Sequence, residues 1–256
     1  MGIKKVILGL DVSTKTVGVT LATLNENDEL NVLEVTHLRP KIPTKMKGAE
    51  ALFKKCDIIT EGLKKYKAYN VTDVVIEEPL VASNNSGTVA TLLRYNGMVS
   101  QSVYNILGVV PSFISSYEAR KFACPQLMAV RKYRKNGDNN DIKKIRKSLK
   151  NNELVLFGEY SFDCSKKLIL WNYVSELFPN IQWQYDKKGD LKDENFDASD
   201  SLICVMGYIN QKKYTDNEPT ILDYNETELN NGNTLFTYTV DFCNKQFNKK
   251  LEISTD

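Results

Sequence analysis

From its first residues the chain sorts into short apolar runs cut by polar turns. Apolar residues dominate "KKVILGLDVS", "TVGVTLATL" and "ELNVLEVTHL", with the turn-prone Ser13-Thr14-Lys15 after the first and the polar "NENDE" before the third. Runs of this length joined by turns this short predict three strands in an antiparallel meander. The period then changes. In "MKGAEALFKKCDIITEGLKKYKAY", Met46 to Tyr69, the residues Leu52, Cys56, Ile59 and Leu63 recur at helical spacing with lysines opposite, which predicts an amphipathic helix. "VTDVVIEEPL" is nearly continuous in apolar residues until Glu77, as a central strand covered on both faces requires. A long apolar helix from about Thr88 to Leu107, a strand in "VVPSFISS" and a helix from about Tyr117 to Met128 complete the order βββαβαβα.

After Val130 the pattern changes. "RKYRKNGDNNDIKKIRKSLKNN" is dense in Lys and Arg and almost without apolar residues, which places it on a surface or in a mobile insertion. Regular structure resumes with "KKLILWNYVSELFP", an amphipathic helix closed by Pro179. The polar connector "DKKGDLKDEN" then leads to "ENFDASDSLICVMGY", a helix with two carboxylates, Asp197 and Asp200, at the head of an apolar stretch. The remainder from about Gln211 is rich in Asn, Asp and Thr but contains "TLFTYTVDF", which alternates as a strand does, and reads as a peripheral appendage. The expected organisation is one domain over 1–210, with a basic insertion at about 131–165, followed by a C-terminal extension over 211–256.

Composition narrows the function classes. At 256 residues the chain is long enough to bury a full core. A net charge of only +2 means that affinity for a polyanion has to come from local clusters of Lys and Arg. The five cysteines are scattered without a CxxC pair, which suits a reducing compartment, and no apolar run approaches the roughly 20 residues needed to span a bilayer. A cytoplasmic protein without a membrane partner is expected. With His37 as the single histidine, multi-histidine metal sites and Cys/His zinc clusters are excluded, and "LEVTHLRP" reads as a strand end with its imidazole facing solvent. Catalysis, where present, rests on carboxylates.

The candidate carboxylates sit at element ends. Asp11 closes the first strand and Glu77, followed by Glu78, closes the fourth; were these strands parallel neighbours, Asp11 and Glu77 would face each other. Asp197 and Asp200, three residues apart, share one helical face. Each acid has a plain structural account when taken singly. Asp197 suits a helix N-cap, Asp200 suits the first turn, Asp11 suits a strand-end turn, and Glu77 and Glu78 suit a surface position before Pro79. Taken together, they are a set of oxygen donors able to hold a pair of hard divalent cations.

"LGLDVSTKTVGVTL", "VVIEEPL" and "ENFDASDSLICVMGY" together resemble the motif set of RuvC-type Holliday junction resolvases, within the RNase H and retroviral integrase superfamily. The resemblance runs from about Ile7 to Tyr208. It matches Asp11, Thr14, Lys15 and Gly18 to the first motif, Glu77 to the second, and Asp197, Ala198, Asp200 and Ser201 to the third. Two positions depart from the pattern: Val12-Ser13 stands where Pro-Gly is usual, and Leu80 replaces an aromatic thought to probe bases. The long additions suggest a divergent, viral member, placed in that case in host cytoplasm.

The resemblance implies an α/β, RNase H-like fold: a mixed five-stranded sheet of order 3-2-1-4-5 with strand 2 antiparallel, flanked by helices, and carrying the basic insertion and the extension. It implies a crossover junction endodeoxyribonuclease that acts as a homodimer on branched DNA, with Asp11, Glu77, Asp197 and Asp200 as ligands of two Mg2+ ions, replaceable by Mn2+, in two-metal phosphodiester hydrolysis. It also brings Lys15, Arg120, Lys121 and Lys166 or Lys167 to the DNA. The basic block adds Arg131, Lys132, Arg134 and Lys135, followed by Lys143, Lys144, Arg146 and Lys147, as phosphate contacts, with Tyr133 as a stacking platform. The same acids would serve a relative acting on flap DNA or RNA. The first hairpin also looks like the phosphate-binding hairpin of actin-like ATPases and small-molecule kinases, which need a second lobe of the same kind.

Overall fold

In a computed structural model, residues 2–79, 85–133, 140–161 and 163–254 are described. The chain divides into two compact units, residues 1–119 with 167–208 and residues 120–166 with 209–256.

The first unit is built on β1 (Ile3–Val12), β2 (Val17–Asn25), β3 (Leu30–Leu38), β4 (Asp73–Glu77) and β5 (Ser112–Ile114). Their order is β3-β2-β1-β4-β5, with β2 antiparallel to β1 and β3, and β4 parallel to β1 and β5. This is the mixed sheet that the resemblance implied. The two-residue period sorts the strands into faces. Leu8, Leu10 and Val12 of β1, Val17, Val19 and Leu21 of β2, and Val74 and Ile76 of β4 pack with Cys56, Ile59 and Leu63 of α1 (Gly48–Leu63) and Tyr95, Val99 and Val103 of α2 (Ser86–Leu107). The helix predicted over Met46 to Tyr69 keeps its α form to Leu63 and tightens to a 3-10 turn over Lys64–Tyr69.

The opposite face is left to α6 (Glu194–Lys213), which is buried almost continuously from Asn195 to Tyr208. Two strand glycines let it approach. A Cβ on Gly9 would lie 2.6 Å from the Ser201 carbonyl oxygen, and one on Gly18 would lie 1.9 Å from that of Asp197. Glycine is the residue that permits this backbone contact. The Thr20 and Ser201 hydroxyls meet at 2.8 Å between the two glycines.

Farther along α6, the Tyr208 hydroxyl donates to Asp73 Oδ1 at 2.8 Å, where Lys5 also donates at 3.0 Å, and Thr72 donates to Asp73 Oδ2 at 3.0 Å. Burial alone would raise the Asp73 pKa, but these bonds outweigh it and hold the carboxyl below its ordinary value of 3.8. Such a group contributes stability that is present above the unfolded pKa and is lost as pH falls through the lower folded one. Asp73→Ala, which removes the carboxylate that the Tyr208 hydroxyl donates to, should therefore cost about 1–3 kcal/mol in denaturant unfolding at pH 7. The difference from wild type should shrink at pH 3; an equal loss at both pH values would show that packing, not the charged hydrogen bonds, is what the substitution removes.

The second unit joins segments that the sequence reading kept apart. β6 (Met128–Val130) pairs antiparallel with β7 (Leu154–Leu156), and β8 (Thr220–Glu228), β9 (Thr234–Phe242) and β10 (Lys245–Ile253) form a meander of order β10-β9-β8. Cys243 and Asn244, both at positive φ, make the two-residue turn between β9 and β10. One core takes Met128, Ala129 and Val130 from β6, Ile145 and Leu149 from α4 (Asn140–Lys150), and Phe236, Tyr238 and Val240 from β9. The stretch read as an apolar-poor basic insertion is thus an amphipathic helix over its second half, with Ile145 and Leu149 one turn apart. The stretch read as a peripheral appendage supplies the other side of the same core. The helix expected to run to Met128 ends earlier, at Ala123 in α3 (Ser116–Ala123), and the chain enters β6 after a 3-10 turn.

Candidate active site

The site forms at the C-terminal ends of β1 and β4, on the face that α6 covers. Register dictates this. Gly9 pairs with Val75 and Leu10 with Ile76, so one step farther Asp11 and Glu77 are neighbours; both point away from the α1/α2 core because Leu10 and Ile76 point into it. Asp11 pairs with Gly18 across the hairpin, and Gly18 is where the backbone of Asp197 rests. The helix begins at Glu194, three residues before the N-cap expected at Asp197, and so lays Asp197 of its first turn and Asp200, one turn on, over the end of β1. Asp197 is half-buried and Asp200 is buried, with 6% of its surface exposed.

The electrostatics register the crowding. The Asp11 pKa is raised well above its ordinary value, first by desolvation and then by the charges of Glu77, Asp200 and Asp197; Lys167 opposes these. Asp11 is only half-buried by exposed area, yet protein packed behind it removes much of its water. Lys167, near the start of α5 (Lys166–Leu177), has an exposed side chain whose ammonium lies 4.0 Å from Asp197 Oδ1.

Thr16, which the motif reading passed over, orients Asp197: its hydroxyl donates to Asp197 Oδ2. Ser13 braces the loop that carries it, donating from its hydroxyl to the Thr16 carbonyl at 2.9 Å and accepting from the Thr16 N–H at 3.1 Å. Lys55 of α1 adds a bond to the Thr14 carbonyl at 2.6 Å. The signal available in the sequence was the Ser-x-x-Thr spacing inside a tight hairpin.

His37 was expected to face solvent. It is half-buried on β3, paired with Gly18, and lies on the same sheet face as Asp11. Desolvation lowers its pKa, against the opposing pull of Glu194 and Asp197. Glu78 is exposed, one residue past the strand.

The donor set consists of four carboxylates, which is oxygen chemistry suited to Mg2+ or Mn2+. Bringing a desolvated Asp11 among three other acids is costly without a cation, so the residues fit a divalent ion in kind. Among the described residues no group of three or more His, Cys, Asp or Glu is arranged to hold an ion as it stands. Asp197 is engaged by Thr16, and Glu77 receives the Cys204 thiol at 3.8 Å.

The proposed DNA contacts separate. Lys15, Arg131, Lys166 and Lys167 are exposed, whereas Arg120 and Lys132 are half-buried. Lys121 is a correction: it is buried with 4% of its surface exposed, its ammonium is held by Glu218 at 2.9 Å and lies over the Phe122 ring, and it does not face a ligand. Tyr133 packs against the second unit's core with Lys144 over its ring, which leaves it poorly placed as a stacking platform. Arg134, Lys135 and Leu80 lie outside the described residues.

No protein-family model matches the chain, and no curated protein does. Among solved structures it is similar to Thermus thermophilus RuvC, with 11% identity, covering 81% of this chain and 95% of that one at a TM-score of 0.46. The T. thermophilus RuvC complex with Holliday junction substrate gives 9% identity, 82% and 95% coverage, and a TM-score of 0.46. The yeast mitochondrial Holliday junction resolvase Ydc2 gives 14% identity, 81% and 78% coverage, and a TM-score of 0.42.

Proposed function

We propose that the chain is a magnesium-dependent endonuclease that cuts branched DNA, with the four-way junction as its substrate. The observation that carries this reading is the placement of Asp11 beside Glu77 and beneath Asp197 and Asp200, four carboxylates from three distant parts of the chain on one covered sheet face. Asp11, Glu77, Asp197 and Asp200 would hold the metal. Magnesium, when bound, supplies Lewis-acid stabilisation of the attacking and leaving oxygens of a phosphodiester.

The chain's own groups do the rest. Thr16 fixes one oxygen of Asp197 and leaves the other directed toward Lys167. The exposed Lys167 ammonium is available to neutralise charge gathering on a phosphate at the site. Gly9 and Gly18 admit α6 close enough for its acids to reach Asp11. Symmetric cleavage of two strands needs two such sites, which supports a homodimer. The apolar groove between α1 and α2, lined by Leu52, the exposed Phe53 and Met98, is a face suited to pairing. The actin-like alternative is disfavoured because the second unit's larger sheet is a three-stranded antiparallel meander, not a second lobe with the first unit's topology.

The test is incubation with synthetic four-way junctions, flaps and linear duplexes, with Mg2+, Mn2+ or EDTA. Paired symmetric nicks in the junction alone, absent in EDTA, are expected. Cleavage confined to flaps or RNA would move the substrate assignment, and no cleavage of any substrate with either metal would end the nuclease reading.

A further inference from the structure

Within the second unit a cavity of about 220 Å3 opens where the β6–β7 ribbon ends; its lining includes Arg131, Lys132, Lys166, Phe157, Tyr160 and Ser161, and among the described residues no aspartate or glutamate. The wall is firmly built. Past the last ribbon pair, the Lys132 N–H donates to the Gly158 carbonyl at 2.5 Å, the Phe157 N–H to the Leu127 carbonyl at 2.9 Å, and the Tyr160 N–H to the Phe157 carbonyl at 3.1 Å. A Cβ on Gly158 would lie 2.3 Å from the Ala129 carbonyl oxygen, so the turn is pressed onto the strand. Phe157 is held at φ 60°, a conformation a bulky side chain keeps only when its surroundings impose it.

Three cations share this space. Ion pairs within the unit engage Lys121, Lys144, Arg146 and Lys249, and among the described residues no carboxylate is paired with the three cations that line the cavity. Like charges gathered without an acid attract an anion. Two rings stand beside them: Lys166 Nζ is 5.5 Å from the centre of the buried Phe157 ring, and Phe157 meets the half-buried Tyr160 edge-on at 6.3 Å. Cations next to an aromatic surface, in a space several waters large, are what a phosphate with a base attached requires.

We propose that this cavity seats one unpaired nucleotide of a DNA strand, its phosphate held by Arg131, Lys132 and Lys166 and its base packed against Tyr160. The inference rests on the proposed nuclease function for the kind of ligand. The nucleotide is unpaired because a base inside a duplex presents its edge, not its face, and cannot enter a pocket. The structure also gives the two adjacent lysines different tasks, Lys167 facing Asp197 and Lys166 lining the cavity.

The experiment measures binding of the full-length protein to labelled oligothymidylate and to a blunt duplex by fluorescence anisotropy in EDTA. Arg131→Gln with Lys166→Gln should weaken oligothymidylate binding at least tenfold and reduce the slope of log K against log salt by about 0.7 for each phosphate the variant no longer neutralises. Tyr160→Ala should weaken the single strand at least fivefold and the duplex less than twofold, whereas Tyr160→Phe should match wild type. In the wild-type protein, which needs no variant to fold, a 2-aminopurine within the oligonucleotide should be quenched at saturation. Unchanged 2-aminopurine emission, or equal losses on single strand and duplex in Tyr160→Ala, would overturn the assignment. Single-strand preference without junction cleavage would sink the nuclease reading and keep the cavity; junction cleavage without that preference would do the reverse.

Discussion

Asp11→Asn is expected to slow four-way-junction cleavage at least about 10^3-fold, equivalent to about 4 kcal/mol of barrier, while junction binding in EDTA stays equal or tightens. The substitution keeps the side chain's shape and removes the charge at the centre of the acid set, where Glu77, Asp197 and Asp200 all act on it. The same charge makes a prediction about stability. A carboxyl whose folded pKa is raised above its ordinary value of 3.8 penalises the native state once pH exceeds that value, and the full penalty is present above the folded pKa. Asp11→Asn should thus melt higher than wild type at pH 7.5 in EDTA, and the gap should close as pH falls below about 4. Magnesium should raise the wild-type melting temperature and leave that of the variant nearly unchanged. Scanning calorimetry across pH, beside a cleavage assay, reads both effects. Wild-type cutting by the variant would remove Asp11 from catalysis, and a variant that melts lower at pH 7.5 would mean that Asp11 is not the crowded charge described above.

What the sequence made legible was periodic or terminal. Alternation in β1 and β2 and the apolar run of β4 marked the strands, and an acid at the end of each of β1 and β4 has its neighbours fixed by register once the strands pair. The helix-facing role of Gly9 and Gly18 was not legible, because a glycine in a strand looks the same whether it meets solvent or a helix backbone. His37 was misplaced for a related reason: the alternation of β3 assigns two faces but does not say which of them α6 covers.

The second unit shows a different limit. Its core brings Ile145 and Leu149 to Phe236 and Val240, residues that no local pattern connects. High charge across the basic block concealed an apolar pair only one helical turn apart. Lys121 fails in the same way, since its carboxylate partner Glu218 is 97 residues away and only tertiary structure supplies it.

Gly18→Ala tests how closely α6 must approach the sheet. The added Cβ would lie 1.9 Å from the Asp197 carbonyl oxygen, 2.4 Å from its carbonyl carbon and 2.9 Å from the Ala198 nitrogen, all backbone atoms at the start of a buried helix. No rotamer relieves such a clash, so α6 has to lift by about 1.5 Å to regain ordinary van der Waals spacing. That motion pulls Asp197 from the Thr16 hydroxyl and carries Asp197 and Asp200 away from Asp11. A misplacement of this size is expected to reduce cleavage about 10^2-fold. The strain should cost about 3 kcal/mol or more, a fall in melting temperature of roughly 2–4 °C for each kcal/mol in a protein of this size. Gly97→Ala provides the matched control. Gly97 lies within α2 with nothing inside 4 Å of its added Cβ, so the same methyl there should stabilise by about 0.5–1 kcal/mol; it lines the α1/α2 groove, so its readout is melting alone. If Gly18→Ala instead melts like Gly97→Ala and cuts like wild type, the close approach of α6 to the hairpin is not what positions the acids, and the geometry proposed for the site fails with it.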